Sequence, residues 1–376
     1  MINRIKSTLS HTLLNLPGWH TRRKIVVIES DDWGSIRMPS KEVYEKCLKA
    51  GYPVDLNPYE RYDSIASEDD LEMLFELLSH YKDKNGNHPV ITANCVVANP
   101  DFEKIEKSGF KEYYYELITE TFKRYPKHHN NFDLWLQGKE NDVFYPQFHA
   151  REHLNVSLFM KALKEDDSDV HFGFKNKMPG SIRKGDVKNG NDFVEATYFD
   201  SEEDKKEKLR IYLEGLDVFE QLFGYRSLSI IPPNYTWSKD FDYAVAEKGV
   251  KYIQGIRKVR EPAPGEKSKY THRYLGMKNS YGQLELVRNV SFEPSLITVN
   301  GIVDRVLSEV DIAFKMRKPA IISSHRINYV GYLDKNNRDE TLRLLNMILK
   351  ELVKRWPDVE FMSSVELGNY ISKKNK

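Results

Sequence analysis

The sequence predicts an α/β fold: a distorted barrel of seven or eight parallel strands, most followed by a helix, in preference to a doubly wound sheet. Two observations predict it. Short apolar runs alternate along the 376 residues with segments of helical period, the pattern of parallel strands joined by crossover helices. Carboxylate and imidazole side chains then stand where several of those runs stop. In α/β barrels the carboxyl ends of the strands converge on one mouth, where reactive groups collect.

In chain order, the first strand covers 24–30 (Lys-Ile-Val-Val-Ile-Glu-Ser), followed by helices near 41–50 and 68–81. A second strand is expected at 89–97 and a helix near 112–124. The third strand, 142–148, delivers His149 and is followed by a helix at 155–163. Residues 164–200 are polar, carry Gly173, Gly180, Gly185 and Gly190, and read as an insertion over one face. An amphipathic helix spans 202–223, and the fourth strand, 227–231, breaks at Pro232-Pro233. A helix near 241–248 precedes the fifth strand, 252–256, and a basic, Pro-bearing loop covers 257–276. Strand six is 284–290, a helix covers 302–316, and strand seven, 320–324, ends at His325. A helix at 338–356, a short strand at 359–362 and a helix from 365 close the chain. Residues 24–376 read as one domain with extra material near 50–88 and 164–200, preceded by a helical segment, 1–23.

Composition narrows the function classes. A formal net charge of +1 gives no global field for nucleic acid or an anionic membrane. No window approaches 18 apolar residues, so no membrane span is expected. The first 23 residues lack the apolar core of a secretory signal, and Cys47 and Cys95 are too few for a disulfide framework. Both features point to the cytoplasm.

Chemistry concentrates in five side chains. Asp31 and Asp32 end the first strand, His149 and His153 follow the third, and His325 ends the seventh. Adjacent like charges repel and separate their pKa values unless a cation or a substrate proton sits between them. Neutral imidazole with carboxylate is the usual donor set for a zinc-like cation at an open, water-bearing site. The spacing of His149 and His153 suits one cation, since residues four apart on a helical turn share a face. Together the five describe a mononuclear metal hydrolase. The stretch His149-Ala-Arg-Glu152-His153 also fits the H-x-x-E-H pattern of inverzincin peptidases. That motif needs a long helix, follows here a β-rich segment carrying Pro146, and leaves the Asp pair and His325 unused.

These residues resemble the polysaccharide deacetylases, the NodB-homology or carbohydrate esterase superfamily. The first family motif is matched by Ile28-Glu-Ser-Asp31-Asp32-Trp-Gly34 and the second by His149-Ala-Arg-Glu-His153, with Ala150 in place of the usual hydroxyl residue. The last is matched by Ile321-Ile-Ser-Ser-His325. The resemblance runs in order over nearly the whole chain and implies a barrel of the glycoside hydrolase/deacetylase type. It implies Asp31 as catalytic base, His325 as general acid, and Asp32, His149 and His153 as ligands of one divalent cation. Zinc comes first among cations, with cobalt, nickel, manganese or iron as alternatives. The implied activity is removal of an N-acetyl group, or an O-acetyl group, from an amino sugar or saccharide precursor in surface polysaccharide metabolism.

Two family features lack a match. The Arg that normally precedes the Pro-rich turn and holds the base is replaced by Ile231, with Arg37, Arg151 or Arg326 as candidate substitutes. The Asp that orients the acid His is missing, and Asn289 and Glu293 are candidates; Glu293 and Arg288 read equally as an ordinary ion pair. Asn234 and Tyr235 are expected to line the sugar pocket, Trp33 either to stack on a sugar face or to pack at the mouth of the barrel, and Arg151, Arg326, Asn289 and Glu293 to complete it. The expected partner is an acetylated sugar or sugar carrier. The alternatives are a catalytically silent carbohydrate-binding protein favoured by the altered turn, or a metal-dependent glycosidase or peptidase.

Overall fold

The structure, a computed structural model, describes residues 9–179, 182–184, 192–264, 266–297 and 301–374. The first eight residues of the N-terminal segment, and Gly180, Gly185 and Gly190 of the insertion, lie outside these.

One nine-stranded sheet organises the chain. Its strands are β1 (Lys24–Trp33), β2 (Ile91–Val96), β3 (Phe144–Ala150), β4 (Ser229–Ile230), β5 (Tyr252–Gly255), β6 (Leu284–Val287), β7 (Val290–Ser291), β8 (Ala320–His325) and β9 (Val359–Phe361). The order is β6-β5-β4-β3-β2-β1-β8-β7, with β9 added to the start of β1. Every pairing in this sheet is parallel. The sheet curls so that its two edges, β6 and β7, are consecutive in the chain. Arg288 N donates to Gly255 O at 2.9 Å on one side, and Asn289 N donates to Ile321 O at 3.1 Å on the other.

Parallel strands covered on both faces must be apolar on both. In β1, Val26 and Ile28 point out to the main core beneath the helices, while Ile25 and Val27 point inward. Inside they meet Ile321, Leu286 and the last helix, α1 (Ser364–Lys374), through Val365, Leu367 and Ile371. Gly368 allows α1 to seat there, since a Cβ would fall 2.6 Å from the Tyr252 ring. The same inward face continues up β1 as Glu29 and then Asp31, so the interior changes from apolar to ionic toward the mouth.

Local differences from the sequence expectation have physical causes. The fourth strand keeps only two residues before Pro232-Pro233, which have no N–H to donate. Strand six is divided because Arg288 and Asn289 change hydrogen-bonding partner. The segment expected as a helix from 112 instead forms a strand, Tyr115–Leu117, paired with Ala98–Pro100, and only then a helix, Ile118–Arg124. The basic loop contains a hairpin of Lys258–Glu261 with Lys269–His272, in which only Val259 is buried, so it gives no apolar signal. Short helices at Pro58–Tyr62, Asn131–Glu140 and Ser168–Lys175 were not expected; the first contributes to the site.

Candidate active site

The carboxyl end of the sheet opens into a cavity of 320 Å³ lined by Asp31, Asp32, His149, His153 and His325, with Arg37, Tyr59, Val194, Pro232, Asn234 and Tyr235 around them. In a regular strand two successive side chains point to opposite faces. Asp31 and Asp32 both reach the cavity because β1 is irregular there. Its register with β2 shifts between Ser30 and Trp33, and Asp32 takes φ 74, a left-handed conformation that short Asp side chains tolerate. A second register shift brings His149 in. On β2, Cys95 pairs with Phe148 and the next residue, Val96, with Ala150, leaving His149 as the extra residue of a bulge. Bulges beside active sites commonly serve to re-aim a side chain.

Asp32, His149 and His153 offer ligand atoms that all lie within 4.8 Å of one another, and the group could hold a metal ion. His149 Nδ1 is 2.8 Å from the carbonyl of Ile231. A carbonyl only accepts, so Nδ1 carries a proton and Nε2 is the nitrogen turned toward Asp32. That Nε2 is 3.6 Å from Asp32 Oδ1 and has no hydrogen-bond partner among the described residues. His153 Nε2 is 3.3 Å from the same oxygen. Burial pushes the His153 imidazole down to about 3, although Asp32 pulls the other way, so the ring is neutral and free to ligate. The two residues do not share a helical turn: His149 is the last residue but one of its strand and His153 sits in the bend after it. The expected proximity is present, but the helix-face reason for it is wrong.

Asp31 is held differently. Arg288 grips it with both terminal nitrogens, at 2.7 and 2.6 Å, and Asn94 Nδ2 donates to it at 2.8 Å. The Nε of Arg288 turns inward to Glu29 at 2.6 Å, and Glu29 accepts from Ser364 Oγ at 2.7 Å. Burial opposes a charge on Asp31, but the Arg288 guanidinium outweighs it and holds the carboxyl below the ordinary range. Arg288 thus makes the contact to Asp31 for which Arg37, Arg151 and Arg326 were candidates. Arg151 is spent on Glu152 (2.6 Å twice) and Glu214 (2.7 Å). Arg326 is buried against Asp63 at 3.0 and 2.8 Å, and Arg37 lies nearer Asp32 than Asp31. The Arg151 pairing also neutralises Glu152, which does not line the cavity as a peptidase base would.

His325 faces Asp31 across the cavity, Nε2 to Oδ2 at 3.8 Å. Its Nδ1 is 2.7 Å from Glu293 Oε1, and Asn328 Nδ2 donates to the other Glu293 oxygen at 2.7 Å. Burial alone would lower the imidazole; Glu293, with Asp31 and Asp32 behind it, raises it to about 9. Glu293 therefore sits where an orienting carboxylate belongs. Its partner is His325, not Arg288.

Other candidates fall elsewhere. Asn289 ties β8 to the N-terminal segment, its Oδ1 accepting from Ile321 N and its Nδ2 donating to Pro319 O and Asn15 Oδ1, and it does not line the cavity. Trp33 is 1% exposed, stacks on Tyr329 and donates to Ser30 Oγ at 3.0 Å, so it packs the core rather than a sugar. Asn234 and Tyr235 do line the cavity, at φ 53 and 51 after the double proline. The sequence reading missed Asn94 and Tyr59, whose contacts depend on tertiary approach.

No protein-family model matches the chain, and no curated protein matches it in sequence. Solved structures match at low identity. A candidate glycoside hydrolase/deacetylase from Parabacteroides distasonis aligns at 11% identity and TM-score 0.49, over 96% of this chain and 74% of the other. An allantoinase aligns at 11% and 0.46, over 94% and 93%. A 4-alpha-glucanotransferase from Thermococcus litoralis aligns at 10% and 0.44, where 92% of this chain spans only 40% of that protein. At these scores the likeness carries no functional weight, and the activity has to be read from the site.

Proposed function

We propose that the protein is a metal-dependent amide hydrolase that removes the N-acetyl group of an amino sugar, on a barrel in which residues 284–291 count as one of seven staves. The observation that carries this reading is the division of labour between two neighbouring carboxylates. Asp31 is clamped to a guanidinium, Asp32 is turned to two imidazoles, and a third imidazole backed by its own carboxylate stands opposite.

Asp32, His149 and His153 would hold the cation, zinc before the other divalent ions. When bound, it supplies a water of lowered pKa and polarisation of the acetyl carbonyl. Asp31, kept ionised by Arg288, accepts the water proton. An amine leaves poorly unless protonated, and His325, protonated at neutral pH, donates to it. Glu293 keeps that imidazole oriented and charged. The same groups would serve an O-acetyl ester. The altered Pro-Pro turn, which favoured a silent carbohydrate-binding protein, loses its force because Arg288, at the junction between β6 and β7, brings a guanidinium to Asp31. A glycosidase would use its carboxylate pair at the sugar carbon, whereas here only one of the pair is disposed as a base.

Asp31→Asn tests the base. The variant retains its cation, and acetate release from an N-acetylated saccharide falls by about 10²–10⁴-fold; undiminished release removes Asp31 from the role. Glu293→Gln tests the acid. Losing the carboxylate that raises His325 lowers that imidazole, so the alkaline limb of the kcat/KM profile moves to lower pH. An unmoved limb means that Glu293 does not set the acid.

A further inference from the structure

Arg37 stands on the cavity wall with more donors than partners. Its Nη2 is 3.7 Å from Asp32 Oδ2 and its Nε 3.8 Å from Asp63 Oδ2. These are ion-pair separations, too long for hydrogen bonds. The Nε is buried and has no hydrogen-bond partner among the described residues. Asp63 is already gripped at both oxygens by Arg326, and the other oxygen of Asp32 faces His149 and His153. A third carboxyl, Glu60, is pushed up to about 7 by burial with Arg37 pulling the other way, so it is a reluctant counter-ion. The ring of Tyr59 lies 5.6 Å from the guanidinium carbon and lines the same cavity, with Asn234 and Tyr235 among the other lining residues.

A largely buried guanidinium beside an open cavity, with its planar fork unspent, matches carboxylate and phosphate oxygens. We propose that Arg37 is a specificity-determining residue that binds an oxyanion carried by the sugar whose acetamido group is cleaved. This rests on the amide-hydrolase reading above and narrows the substrate class from acetylated saccharides in general to acidic ones. A neutral sugar leaves the terminal nitrogens of Arg37 without a charged acceptor, and a site built around a charged donor discriminates against ligands that lack the matching group. The oxyanion has two sources, a carboxylate on the amino sugar or a phosphate ester, and the probes below separate them.

The test is calorimetric binding of N-acetylglucosamine, N-acetylmuramic acid and N-acetylglucosamine 1-phosphate to the zinc-loaded protein. Binding is read whether or not the amide is cleaved, so failure of the hydrolase reading and failure of this one are distinguishable. In the wild type at least one acidic probe binds about ten- to a hundredfold more tightly than the neutral one, the range of a charged hydrogen bond. Which acidic probe does so identifies the source. Arg37→Gln collapses that ratio toward unity with zinc content held, and Arg37→Lys, which keeps charge without the fork, preserves part of it. A wild-type ratio near unity overturns the proposal, as does an unchanged ratio in Arg37→Gln. Loss of zinc together with affinity for all three probes makes Arg37 a support for Asp32 and equally overturns it.

Discussion

Removing the imidazole at position 149 empties the proposed metal centre: His149→Ala protein purifies with far less than one equivalent of divalent cation and releases acetate at the background rate. The expectation follows from how little else the nitrogen does. His149 Nε2 has no partner among the described residues, while Nδ1 is fixed on the Ile231 carbonyl. Partners outside the coordination sphere contribute about 10–100-fold to metal affinity, and loss of a direct ligand exceeds that. The structural cost is separable. The freed Ile231 carbonyl costs about 1–3 kcal/mol if it stays dry, so the variant remains folded and its metal content is measurable by elemental analysis. A full equivalent of cation in the folded variant contradicts the assignment.

The second large effect falls on stability. Arg288→Met leaves Glu29 and Asp31 buried, with Glu29 fully covered and Asp31 3% exposed, and without the cation that both touch. Breaking a buried ion pair by deleting one partner costs about 3–5 kcal/mol, because the remaining charge is uncompensated. A urea titration reads this as a lower midpoint at unchanged slope. Glu29 already has its carboxyl raised by burial even with Arg288 beside it. Without Arg288 it rises further above its unfolded value, so the deficit is largest at neutral pH and shrinks as the pH falls into the carboxyl range. Arg288→Lys restores the charge but not the fork that spans Glu29 and Asp31, and recovers only part of the loss. Acetate release falls in both variants through misplacement of Asp31. A Met variant as stable as the wild type at pH 7 removes Arg288 from its proposed position between the two carboxylates.

Much of the site was legible because its chemistry coincides with chain punctuation. Asp31-Asp32, His149 and His325 each end an apolar run, and a parallel sheet places such ends together. Less legible was how the residues get there. Nothing local announces that β1 and β3 are bulged at Asp32 and His149, so the spacing of His149 and His153 was ascribed to a helical turn. Arg288 was hard to place for a topological reason. It lies where one stretch of chain leaves β5 and joins β8, and only that double pairing points its side chain inward beneath Asp31. Trp33, Arg151, Arg326 and Asn289 carry groups suited to a sugar site, but their partners in the core, Tyr329, Glu152, Asp63 and Ile321, are remote in sequence or ambiguous within it. Burial of a polar residue is a tertiary fact, and the sequence pattern alone does not separate an inward-facing arginine from one in a cavity.

The measurement that bears most directly on the central claim is an anomalous difference map from crystals grown with zinc, collected at the zinc edge. One peak is predicted at the floor of the cavity, about 2.0–2.2 Å from an oxygen of Asp32 and from one ring nitrogen each of His149 and His153. A map without a peak there, or with zinc bound to other residues while these three remain apart, contradicts the metal centre and the hydrolase built on it.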